Sequence, residues 1–279
     1  MLQEEYATAT CELDQSPQFV RTVRKTVAGA ISRRGMRDGI LSVADQAVVS
    51  GTSFVTSVII GRMCSKRELG VFYLALTIVY FARGIQDQLI SAPYVIHCHK
   101  RRANSLALYS GSSFLHHLML SLVSIALLGG AIAVLSFGSR PAGLVSAFWV
   151  LLGALPLLQL REFVRRLTTA NLQIATAIAI DVGVAVLQIG GLLLLAYFDR
   201  LTVGAAYAVM GAACAVASCG WFFSQRQPFR FTLSQAILDW RHNWGFARWA
   251  LASHLVGFSG VYLLPWIVMA MRGSEEAGV

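Results

Sequence analysis

From residue 40 onward the chain is a succession of long apolar segments with very little between them. An α-helix rises 1.5 Å per residue, so about 20 mostly apolar residues cross the hydrocarbon core of a bilayer. Seven segments are read at about that length: 40–61, 71–97, 111–137, 143–160, 168–197, 203–223 and 249–271. The connections read RMCSKRELG, CHKRRANSLALYSG, GSRPA, LREFVRRL and DRLT, then a longer one at 224–248. None can hold a separate domain. Backbone inside lipid must satisfy its own hydrogen bonds, which leaves the helix as the form for such segments. The expected fold class is therefore all-α. It is a polytopic integral membrane helix bundle of about seven transmembrane helices, one six-helix bundle plus the first helix of a second.

Composition excludes the soluble alternatives. Hydrophobic residues make up 56% of the chain and charged residues 13%, against about 25% charged in ordinary soluble domains. A globule with so few charges lacks the polar surface to clothe itself, and a disordered chain is excluded by the same figures. The 5 Cys have no paired spacing. They are neither a disulfide framework nor a zinc site and read as small packing residues. No metal or cofactor is expected.

The net charge of +9, from 23 Lys and Arg against 14 Asp and Glu, is read as topology. With a cytoplasmic N-terminus, the inside segments carry Arg21, Arg24, Lys25, Arg33, Arg34 and Arg37, then Lys100, Arg101 and Arg102. Arg161, Arg165 and Arg166 follow, then Arg226, Arg230, Arg241 and Arg248. That makes sixteen. The outside segments carry six: Arg62, Lys66, Arg67, Arg140, Arg200 and Arg272. Cytoplasmic loops attract Lys and Arg, so the N-terminus is expected inside the cytoplasmic membrane. Anionic lipid is the expected partner of the basic side, and no nucleic-acid signature accompanies it.

Four regions are expected. Residues 1–39 form a cytoplasmic basic tail, and 40–223 a six-span bundle. Residues 224–248 form a cytoplasmic amphipathic linker, and 249–279 the first span of an incomplete second bundle. In the tail, Val20, Val23, Val27 and Ile31 recur at helical spacing. A surface-lying helix and a plain basic tail are both open readings. In the linker, Leu233, Ile237, Trp240 and Trp244 make an apolar stripe. That spacing predicts a helix lying at the headgroup boundary as an anchor.

A charge inside the bilayer is costly unless paired or hydrated, so intramembrane charges mark candidate sites. Arg83 and Asp87 lie four apart in the second span, with Gln86 beside them. That spacing permits a mutual ion pair that tethers helices, or a polar, partly cationic patch lining a central cavity. Asp181 lies near the middle of the fifth span, with Gln188 almost on its face. It reads as an ion-linked carboxylate or as a structural hydrogen bonder. Asp45 sits one turn into the first span, above Thr52 and Thr56. Cavity lining and interhelical bonding are both open for it. His97, His99, His116 and His117 cluster at span ends. They lack a further ligand at natural spacing and read as interface residues. Gly204, Ala205, Ala208, Gly211, Ala212 and Ala215 give the sixth span a small face for close packing. Pro93, Pro156 and Pro265 are candidate kinks.

The exit of the first span reads Gly61-Arg62, then Glu68-Leu69-Gly70-Val71-Phe72-Tyr73 opens the second. A weaker copy lies 208 residues on, at Glu276-Ala277-Gly278, preceded by Trp249-Ala250, Ser253 and Gly260. Over about residues 38–279 this pattern resembles the polysaccharide flippases of the multidrug/oligosaccharidyl-lipid/polysaccharide exporter superfamily. The resemblance implies two six-helix bundles rocking around a central cavity. It implies a lipid-linked saccharide as cargo and coupling to an ion gradient. It also implies that this chain is either partial or a half-transporter that dimerises. An enzyme is not expected, because the outside loops are short, no carboxylate pair is evident, and no GxxxxGK[ST] loop occurs. A multidrug antiporter of the same superfamily and a membrane enzyme of surface-glycan assembly are the alternatives. A seven-span receptor conflicts with an inside N-terminus.

Overall fold

The computed structural model describes residues 33–101, 103–137, 143–224, 229–262, 266–267 and 271. Among them every regular element is helical. Helix α1 spans Arg33–Met63 and α2 Lys66–Gln86. A π-helical turn, Asp87–Ser91, joins α2 to α3, Ala92–Cys98. Then come α4 (Ala103–Ser136), α5 (Leu144–Ala170), α6 (Ile174–Tyr197), α7 (Val203–Ser224) and α8 (Leu233–Tyr262). Among the described residues, six helical stretches are long and apolar enough to cross a membrane: α1, α2 through α3, α4, α5, α6 and α7. The chain is thus built as a multi-pass helical membrane protein. The helix expected around Val20–Ile31, Pro265, and the second motif copy at Glu276–Gly278 lie outside the described residues.

The chain divides into two compact units, one ending at Gln46 and one starting at Ala47. The described part of the first, from Arg33, is the opening turns of α1, with Asp45 buried. The tail boundary expected at residue 39 therefore falls inside a helix. The remainder of α1 and all the later helices belong to the second unit.

Large side chains stand exposed along the spans of this second unit: Met119, Leu122, Leu127 and Val134 on α4, and Val186, Leu193 and Leu194 on α6. In water this surface would be an aggregation liability; in lipid it is the solvent-facing surface. The interior is close-packed, with α5 against α7 the most intimate pair. A Cβ on Gly211 would come 3.0 Å from that of Ala154, and one on Gly204 3.3 Å from Val150. Those two glycines do mark the close face. Ala208 and Ala212 of the expected small face are exposed instead. The buried row is Val203, Tyr207, Gly211, Cys214 and Ser218. Tyr207 donates to the Phe72 carbonyl at 2.8 Å.

Three local features arise from short-range chemistry. Ser65 and Glu68 form a capping box: the Glu68 N–H donates to Ser65 Oγ at 3.3 Å, and the Ser65 N–H to Glu68 Oε2 at 3.0 Å. Glu68 thus has a local role in starting α2, whatever else its motif implies. Next, the Ala92 N–H donates to the Asp87 carbonyl, five residues back. That widened turn stands just before Pro93, whose ring cannot donate. Lastly, Gly111 on α4 lies under the Arg230 carbonyl, and the Arg230 N–H donates to the Ala107 carbonyl at 3.2 Å. This seats the segment that leads into α8.

Several expected boundaries move: α4 starts at Ala103, eight residues before 111, and α6 at Ile174, six after 168. Helix α5 continues ten residues past 160, so LREFVRRL is helix and not a connection. Leu155, Gln159, Phe163, Val164 and Leu167 keep one face buried through that stretch, so the packing that holds the helix does not end at the first arginine. Helix α8 starts at Leu233 and runs unbroken through residue 248, merging the expected linker with the start of the expected seventh span. Its faces are inverted relative to a soluble helix. Asp239 and Asn243 are each 2% exposed, whereas Leu233 is 72% exposed, and Ile237, Trp240 and Trp244 also face outward. The buried polar pair has partners in the bundle: Arg101 donates to Asp239 at 2.9 Å, and Tyr109 to Asn243 at 3.1 Å. The Arg101 guanidinium also sits 4.0 Å above the Tyr109 ring.

A candidate charged cavity inside the bundle

The extension of α5 creates the site. Arg161, Glu162, Arg165 and Arg166 stand at helical spacing, so one stretch presents three guanidiniums and a carboxylate to its neighbours. Glu162 is the centre. Its carboxylate is 2.9 Å from Arg83 on α2, 3.2 Å from Arg166, 3.5 Å from Arg161 and 3.7 Å from Arg165. Asp181 on α6 takes Arg161 at 2.5 Å on one oxygen and Arg165 at 2.7 Å on the other. Asp87, at the head of the π turn, takes Arg166 at 2.9 Å. Seven charged side chains from α2, the π turn, α5 and α6 thus form one network, four cationic and three anionic, with one positive charge in excess.

Burial decides how much this network matters. The Glu162 side chain is 3% exposed and that of Asp181 0%. An isolated buried carboxylate would cost several kcal/mol, so each is held by multiple charge-assisted contacts. Arg83 is different. Its side chain is 33% exposed, and it stands in the wall of a cavity of about 110 Å³. A single water needs roughly 10–15 Å³ of such space, so the cavity is roomy enough for several waters or a small oxyanion. Arg161, Glu162, Asp181, Gln188 and Thr52 supply its other polar walls, and Leu76, Val79, Leu158 and Met210 its apolar ones.

The sequence candidates separate clearly. Arg83, Asp181 and Gln188 reach the cavity. Arg83 and Asp87 do not pair with each other as their spacing permits. Each is taken by α5, which carries the denser charge. Asp181 lies two turns from the start of α6 rather than near mid-span, because α6 begins at Ile174. Gln188 donates to Thr56 Oγ1 at 2.8 Å, tying α6 to α1. Gln86 is fully buried and donates to the Gln159 carbonyl at 3.0 Å, while Gln159 donates to Ser124 at 3.2 Å. That gives Gln86 an interhelical bond, to a residue that lines the cavity while Gln86 itself does not. Asp45 belongs to the separate N-terminal unit.

The histidines occupy interfaces. The His97 ring packs 4.8 Å from that of His242. His116 Nε2 is 2.9 Å from the Ala236 carbonyl. His117 stacks on Phe163 at 5.0 Å.

Glu162, the hub, was not among the sequence candidates. The signal that could have found it is the 161/162/165/166 spacing, which continues the helical period of the span before it.

Compared with protein-family models, curated proteins and solved structures, this chain has no match in any of the three.

Proposed function

We propose that this protein is a membrane transporter that moves the anionic head of a lipid-linked saccharide across the cytoplasmic membrane by alternating access. The observation that carries the reading is the cationic excess around Arg83 in a cavity enclosed by membrane-spanning helices. A phosphoryl group offers what an exposed guanidinium binds best, two oxygens in one plane. A net positive wall also favours anions over the cationic drugs that an antiporter would carry. The polysaccharide-exporter resemblance at Gly61–Tyr73 agrees with this cargo class. In the same reading, α8 leads into a seventh span, and its outward Leu233, Ile237, Trp240 and Trp244 lie in the headgroup region.

Arg83→Ala is expected to abolish complementation of a flippase-deficient strain at normal membrane abundance on immunoblots. Full complementation by the variant would remove Arg83 from the cargo site.

The inside N-terminus belongs to this proposal. Arg161, Arg165 and Arg166 are engaged inside the bundle, which leaves thirteen basic residues inside against six outside. Reporter fusions in the 99–103 loop should read as cytoplasmic and those at 138–142 as external. The reverse pattern would overturn the orientation.

A further inference from the structure

We propose that Glu162 is a proton-operated stand-in for the cargo's anion: ionised, it occupies Arg83; protonated, it yields Arg83 to a bound phosphoryl group. This rests on the cargo reading above and adds a coupling residue to it.

Three observations converge. Among the described residues, Arg83 is the cluster arginine whose ion-pair partner is Glu162 alone, whereas Arg161 and Arg165 also hold Asp181, and Arg166 also holds Asp87. Arg83 and Glu162 both line the cavity, so an entering oxyanion meets this pair directly. Glu162 Oε2 is buried and accepts no hydrogen bond among the described residues, its nearest cation being Arg161 at 3.5 Å. That oxygen has hydrogen-bonding capacity left for a proton.

The charge count then closes. With Glu162 ionised the cluster carries one net positive charge and Arg83 is occupied. One proton on Oε2 raises the net charge to two and releases Arg83, matching a dianionic phosphoryl group. Anion binding and proton uptake are thereby linked, and the linkage is reciprocal. Glu162 is faced by Arg83 from α2 and by its α5 neighbours Arg161, Arg165 and Arg166; Tyr80 from α2, Asp181 from α6 and Cys214 from α7 line the same cavity, and Asp87 of the π turn joins through Arg166. His117 on α4 stands behind Phe163. Asp181 holds Arg161 and Arg165, and Asp87 holds Arg166, so Glu162 is the carboxylate of the cluster whose protonation acts on Arg83.

The test measures sulfate, a dianion that does not itself titrate near neutrality, binding to the purified chain in lipid nanodiscs. Wild-type affinity should rise roughly tenfold per pH unit as pH falls from about 8 to about 6, the slope for one linked proton. An indicator dye should report one proton taken up per anion bound. Glu162→Gln should bind more than tenfold tighter than wild type at the upper pH and lose the slope. Adding Arg83→Ala to it should abolish binding.

If Glu162→Gln does not fold, the wild-type proton count still decides. Binding without proton uptake, or an unchanged slope in Glu162→Gln, overturns the role of Glu162 and leaves the anionic-cargo reading standing. No binding by any of the proteins overturns that reading, and the inference with it.

Discussion

Asp181→Ala should lower the stability of the helical bundle by about 3–5 kcal/mol, the cost of stranding buried charge when one partner of an ion pair is removed. The Asp181 carboxylate is fully buried and holds Arg161 and Arg165 on separate oxygens. Alanine leaves two guanidiniums, 13% and 11% exposed, facing each other with Glu162 as their remaining shared anion. Each arginine prefers water to that environment, so α5 and α6 should part where these charges meet. Thermal unfolding in detergent, followed by helical ellipticity, reads the loss directly. A melting curve superimposable on wild type would show that the network contributes little. Asp181→Asn should fall between the two, because it keeps the shape and the hydrogen-bond acceptor but not the charge.

Gly111→Val is expected to unseat the segment that leads into α8. A Cβ at Gly111 would collide with the Arg230 carbonyl, which is backbone and cannot swing aside as a side chain could. The cost should exceed the roughly 1–3 kcal/mol of ordinary over-packing. The displaced segment carries Phe229, whose ring packs with Phe114, Trp221 and Phe222. It also positions Asp239 for Arg101. A cysteine pair placed at His97 and His242, whose rings are 4.8 Å apart, should be bridged by a short bifunctional thiol cross-linker in the parent and at least tenfold less in Gly111→Val. Gly129→Val, with open space around its Cβ position, is the matched control and should cross-link like the parent. Equal cross-linking in all three would refute the role of Gly111.

Both predictions depend on contacts between residues distant in the chain, and that separates what could be read early from what could not. Helix class and membrane residence follow from local quantities, because the apolar length of each segment and its own hydrogen bonding suffice. Among the described residues, the six stretches able to cross a membrane carry the first six expected spans, but α4 starts at Ala103 and not 111, α6 starts at Ile174 and not 168, and α5 runs on where charge reads as an exit. Arg161, Arg165 and Arg166 show that error. Alone in a sequence they resemble a loop, since lipid excludes unpaired cations. Glu162 beside them, with Asp87 and Asp181 from other elements, supplies the counter-charge that lets the helix continue. Similarly, the stripe at Leu233, Ile237, Trp240 and Trp244 was legible as a stripe. That it turns outward, with Asp239 and Asn243 inward, depends on Arg101 and Tyr109.

Of the six candidate residues, Arg83, Asp181 and Gln188 reach one cavity. They were found because intramembrane polarity is visible residue by residue. Their partners were not visible, because an ion pair is a relation between two helices and no local period encodes it. Residues 83, 162 and 181 come together only when α2, α5 and α6 pack. Thus the sequence by itself determined the solvent, the helical class and which residues are too polar to be idle. The tertiary structure decided which charges meet, and so placed Glu162 at the centre, because desolvation leaves a buried charge stable only where packing brings its counter-charge within hydrogen-bond reach.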